Sequence, residues 1–79
     1  MENERLNRIF REVFDDDTLV VTDSLSDQTL SAWDSFHQVK LVIAVQEEFG
    51  ISLSTEEAVG LTGVAALKRF LEKHHITEY

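Results

Sequence analysis

The chain has 79 residues and no cysteine, with 15 acidic residues against seven Lys and Arg for a formal net charge of −8. A chain of this length folds as one domain over residues 1–79, buries only around 60% of its unfolded surface and rarely builds a deep enclosed catalytic pocket, so an enzyme is not expected. Without cysteine it has no disulfides, thiolate chemistry or cysteine-based zinc site; its charge repels nucleic acid, "MENERLNRIF" lacks a secretory h-region, and "LVIAV" is too short to span a membrane, so a soluble cytoplasmic monomer is expected.

The first element is written in Leu6, Ile9, Phe10, Val13 and Phe14, whose spacing puts all five on one helical face. That helix should end near "DDDT", where aspartates compete for the backbone. Residues 15–34 then hold six aspartates and no base. This long connection reads as an ordered loop pinned to the core by Leu19, Val20, Val21, Leu25 and Leu30. "LVV" resembles a strand, but a single strand has nowhere to send its hydrogen bonds.

The spacing predicts a second helix from Ser35 to Phe49, closed by Gly50 as a left-handed C-terminal residue with Ile51 packed behind it. Ser54 and Glu57 have the spacing of a capping box, which predicts a short helix to about Val59 or Leu61. Thr62 is the expected cap of a last helix with Val64, Leu67, Phe70 and Leu71 inward, and "HHITEY" should fray. The expected fold is all-α: a small bundle of three main helices and one short one, with the long loop between the first two.

The second helix carries two apolar stripes. Leu41, Val45 and Phe49 share one, while Phe36, Val39 and Ile43 share another almost opposite. A small bundle buries one such stripe; the other is either left at least partly exposed, as interaction surfaces are, or covered by the long loop and the short helix. Glu47 and Glu48 sit in the last turn, where negative charge opposes the helix dipole by roughly 0.3–1 kcal/mol each. That cost fits a surface kept for partners.

Asp34, Ser35 and His37 are the residue types of a hydrolase triad, but on a helix Ser35 and His37 diverge by about 200°, so His37 cannot take the serine proton. "DDDT" does not make a calcium loop, because the sixth position of a loop starting at Asp15 is Val20 rather than glycine. His74 and His75 are adjacent and do not converge on one metal; they read as a solvated tail. No metal site is expected. Two readings of Ser35 remain open from the residues alone: a helix N-cap shared with Asp34, or the seat of a phosphodiester at a helix N-terminus.

The stretch "AWDSFHQVKLVIAVQEEFGISLSTEEA" resembles acyl carrier proteins, and the likeness runs from the first helix to "VAALKRFLEKH". The family's Asp-Ser-Leu attachment motif is matched by Asp34-Ser35-Phe36. The resemblance implies that a phosphopantetheinyl transferase moves 4′-phosphopantetheine from coenzyme A to Ser35, with Asp34 contacting the transferase and its metal. The arm would carry acyl groups as thioesters to acyl-loading and acyl-processing enzymes with basic docking surfaces. Phe36, Val39, Ile43, Glu47 and Glu48 would form the docking face. His37, Lys40 and Gln46 depart from the fatty-acid carriers, as does Ala32-Trp33 before the motif. These departures look more like stand-alone carriers of polyketide-like or other specialised pathways. A carrier of central fatty acid synthesis and an unmodified helical adaptor are the alternatives.

Overall fold

The computed structural model describes residues 3–79, and the extreme end of the opening charged stretch, Met1 and Glu2, lies outside them. Among the described residues four helices follow one another: α1 (Glu4–Val13), α2 (Ser35–Phe49), α3 (Thr55–Val59) and α4 (Val64–Lys73). No strand occurs among the described residues; the one ladder contact is an isolated antiparallel bridge between Ser26 and Gly63. The expected all-α fold is the observed one.

Each long helix buries the stripe its periodicity dictates. From α1 come Leu6, Ile9, Phe10, Val13 and, just past its end, Phe14; from α2 come Leu41, Val45 and Phe49; from α4 come Val64, Leu67 and Leu71. Val21, Trp33 and Leu61 complete the core from the connections. Gly50 closes α2 at φ +64°, and the N–H groups of Gly50 and Ile51 both end on the Gln46 carbonyl. The capping box is formed: Ser54 Oγ accepts from the Glu57 N–H at 3.1 Å and Glu57 Oε1 accepts from the Ser54 N–H at 3.0 Å.

Side chains of α1 and of its N-cap Asn3 meet part of the hydrogen-bonding need of "LVV". The Val21 N–H donates to Asn7 Oδ1 at 2.7 Å, Asn3 Nδ2 donates to the Val21 carbonyl, and Arg11 Nε donates to the Leu19 carbonyl at 2.7 Å. The loop is therefore ordered without being a strand. Val20 departs from expectation: with Leu19 and Val21 turned to the core, alternation sends it outward, and it is exposed.

Two further expectations are corrected. Thr62 does not cap α4, since its carbonyl accepts the Asp27 N–H at 2.9 Å while Val64 donates to the Leu25 carbonyl at 2.9 Å. Gly63 takes the cap position instead, because a Cβ there would meet Ser26 Cβ at 3.1 Å and the Leu25 carbonyl at 3.2 Å. The C-terminal tail does not fray. The Tyr79 carbonyl accepts the Leu6 N–H at 3.0 Å, Ile76 donates to the Leu71 carbonyl at 2.8 Å, and Ile76 and Tyr79 pack on the core.

Candidate attachment site and docking face

Ser35 is the first residue of α2 and is exposed. Asp34 supplies the cap: its Oδ1 accepts from the His37 N–H at 2.9 Å and lies 2.8 Å from His37 Nδ1. The bond from the His37 backbone N–H, followed by that from its ring, holds the Asp34 carboxyl below the usual carboxylate range. Both contacts use the same oxygen, which leaves Oδ2 to solvent. The cap reading thus belongs to Asp34, and the Ser35 hydroxyl is left out of it. Helix geometry leaves the N–H groups of Ser35 and Phe36 without intrahelical acceptors, an electropositive rim suited to a phosphate.

What aims this turn is the aromatic cluster beneath it. Trp33 is buried, edge-on to Phe10 with ring centroids 5.6 Å apart and tilted against Phe14 at 5.8 Å. His37 stacks on Phe14 at 5.2 Å, which directs its ring to Asp34 and the core rather than to Ser35. No triad forms. Trp33 Nε1 donates to Gln38 Oε1, and Gln38 Nε2 donates to the Ala58 carbonyl at 2.8 Å. Gln38 therefore ties the Ser35 turn to the end of α3.

Gln38 had no sequence signal beyond its place one turn after Ser35, because its partners come from the loop and from α3. It stands between two hollows. One, of about 290 Å³, is bounded by Asp27, Trp33, Asp34, Ser35, Gln38 and Thr62. The other, of about 360 Å³, runs between α2 and α3 along Val39, Val42, Ile43, Leu53 and Val59. A polar shelf at Ser35 thus adjoins an apolar furrow. The exposed Ser35 hydroxyl and the free N–H groups of its turn fit a phosphate ester, while Asp27 and Asp34 bound the same hollow and oppose one.

The two stripes of α2 separate as their spacing requires. Leu41 and Val45 are 0% exposed, while Phe36 is 67%, Val39 59% and Ile43 48% exposed. Val59 of α3, 73% exposed, borders the same furrow as Val39 and Ile43 and extends the patch. Glu47 is outward and exposed. Glu48 turns toward α1. Its Oε2 lies 2.9 Å from Arg5 Nε and 3.1 Å from Arg8 Nη2, and Arg5 Nη2 also donates to its carbonyl. The Arg5 hydrogen bond leads in holding the Glu48 carboxyl below its ordinary value. The two cations offset the unfavourable dipole, so α1 accounts for an acid that looked costly in the helix alone.

Away from this face, His74 is not part of a solvated tail. Its Nε2 lies 3.4 Å from Oε2 of buried Glu57, with Lys73 Nζ at 3.8 Å, while His75 is exposed. No group of three or more metal-ligating side chains occurs among the described residues, and none of their helices is long and apolar enough to cross a membrane.

No family model matches the chain. Among solved structures it is similar to a holo acyl carrier protein from Geobacter metallireducens, determined by NMR in solution. The two are 30% identical, superpose with a TM-score of 0.74, and align over 96% of this chain and 93% of that one. Identity at that level across nearly both lengths, with the same helical fold, makes the chain a member of the acyl carrier protein family.

Proposed function

We propose that this carrier bears 4′-phosphopantetheine on Ser35 and passes acyl groups, held as thioesters on the arm, between partner enzymes. The observation that carries this reading is the division of labour at the start of α2. Asp34 completes the cap, and the exposed Ser35 hydroxyl is left beside unpaired N–H groups. The prosthetic group supplies the thiol this cysteine-free chain lacks. In loading, Ser35 Oγ forms a bond to the pantetheine-side phosphorus of coenzyme A, the bond from that phosphorus to adenosine 3′,5′-bisphosphate breaks, and the hydroxyl proton passes to a base of the transferase. Asp34 Oδ2, left to solvent, would be the oxygen that meets the transferase and its magnesium. The carrier's own contribution is tethering, which raises the effective concentration of cargo at each partner.

The pathway is a specialised, polyketide-like or secondary one rather than central fatty acid synthesis. His37, Lys40 and Gln46 on α2, and Ala32-Trp33 before Asp34, support that choice. The test is incubation with coenzyme A, magnesium and a broad-specificity transferase, read by intact mass. The wild type should gain one phosphopantetheine and Ser35→Ala none. No gain on the wild type, or an equal gain on the variant, would sink the assignment and leave an unmodified adaptor.

A further inference from the structure

The short helix α3 is fastened by polar groups. Its one buried side chain is that of Glu57, 8% exposed, and none of its residues belongs to the hydrophobic core. Five residues are too few for a helix to hold itself, so ties to its neighbours decide where it lies. On the α2 side the tie is Gln38, which donates to the Ala58 carbonyl at 2.8 Å. On the α4 side it is Glu57. Its Oε1 closes the capping box, while Oε2 is buried without a hydrogen bond and faces His74 Nε2, also buried and unpartnered, at 3.4 Å. Lys73 Nζ stands 3.8 Å from the same oxygen on a largely exposed side chain. No other ion pair of the described residues touches Glu57 or His74, and the next ring, His75, is exposed. A buried carboxylate oxygen left unpaired is costly, and a proton on His74 supplies the nearest countercharge.

We infer that His74 and Glu57 form a protonation-dependent clasp on α3: a protonated His74 draws the helix onto α4, and a neutral one lets it open away from the bundle. The inference stands on the fold and not on the carrier reading of Ser35. Its consequence falls on the face beside Ser35, because α3 contributes Ala58 and Val59 to the furrow that Val39 and Ile43 also line. The sign follows from the charges. Glu57 is held below its ordinary value of 4.5, first by the Ser54 N–H, and so stays ionised at neutral pH. Histidine rings exchange their proton between about pH 5 and about pH 8. The clasp is closed while His74 keeps its proton and loosens as pH rises and the ring becomes neutral.

Native-state amide exchange followed by NMR reads the clasp through two N–H groups of α3. That of Ala58 donates to the Ser54 carbonyl at 2.8 Å, and that of Gly60 to the Glu56 carbonyl at 2.9 Å. Their protection factors are measured from about pH 5 to about pH 8, alongside the titration of the His74 ring. Both should fall by about five- to tenfold as the ring loses its proton, the gap between a hydrogen bond to a charged partner and one to a neutral partner. Amides in the middle of α1 should keep their protection. His74→Gln should hold α3 at the lower protection at every pH, and so should Glu57→Gln, which keeps an acceptor for the capping box. His75→Gln should behave as the wild type. Far-ultraviolet circular dichroism checks that each variant is folded. Unchanged α3 protection while the His74 ring titrates overturns the inference, as does a pH-dependent fall that survives in His74→Gln. Lower protection in His74→Gln without a step in the wild type also overturns it, because the pair is then a fixed structural contact.

Discussion

Replacing Gln38 with alanine probes the link that joins the attachment turn to α3. The Gln38 side chain satisfies the indole N–H of buried Trp33 at one end and the Ala58 carbonyl at the other. Leaving one buried donor unpaired costs about 1–3 kcal/mol, and a second lost bond adds about 1 kcal/mol. Gln38→Ala should therefore destabilise by about 2–4 kcal/mol, a large share of the roughly 4–12 kcal/mol a domain of this size has. Urea unfolding followed by far-ultraviolet circular dichroism measures it. Trp33→Phe keeps a ring against Phe10 and Phe14 but removes the donor, so in that background Gln38→Ala should cost only about 1 kcal/mol. Equal losses in the two backgrounds, or a loss under about 0.5 kcal/mol in the wild type, would show that the Trp33 bond does not hold this turn.

The opposite faces of α2 should respond oppositely: Leu41→Ala should cost about 2–5 kcal/mol in urea unfolding, and Val39→Ala within about 0.5 kcal/mol. Gly50→Ala should cost about 1–2 kcal/mol and Gly50→Asn less; with no atom within 4 Å of an added Cβ, the penalty is that of φ +64° alone. The carboxyls of Asp16, Asp34, Glu48 and Glu57 are held below their ordinary values, led by bonds from the Thr18 hydroxyl, the His37 N–H, the Arg5 guanidinium and the Ser54 N–H respectively. Their stabilisation is full above the ordinary values of 3.8 for Asp and 4.5 for Glu, and is lost as pH falls through the lower folded values. The urea midpoint should drop across that acidic window, and Arg5→Gln should flatten the drop.

The sequence and the structure agree wherever a signal is local. Four apolar residues of α1 at helical spacing and Phe14 just past its end all reach the core, Gly50 takes its positive φ, and Ser54 and Glu57 close their box. They part where one segment's backbone is claimed by a distant one. Thr62 has the chemistry of a cap, yet the strand-like crossing of residues 25–27 takes its carbonyl and requires Gly63 to be small. The tail looks like a solvated end, yet α1 offers the Leu6 N–H to Tyr79.

The candidate site divides along the same line. Periodicity and capping chemistry by themselves determined that a helix starts at the Asp34-Ser35 step and that Phe36, Val39 and Ile43 lie opposite Leu41, Val45 and Phe49, because each depends on neighbours within a turn or two. Only the tertiary structure decided that Glu48 turns to Arg5 and Arg8, that His74 reaches Glu57, and that Gln38 joins Trp33 to Ala58. Those pairings depend on which residue of another element arrives opposite, and nothing in the spacing along one helix records that.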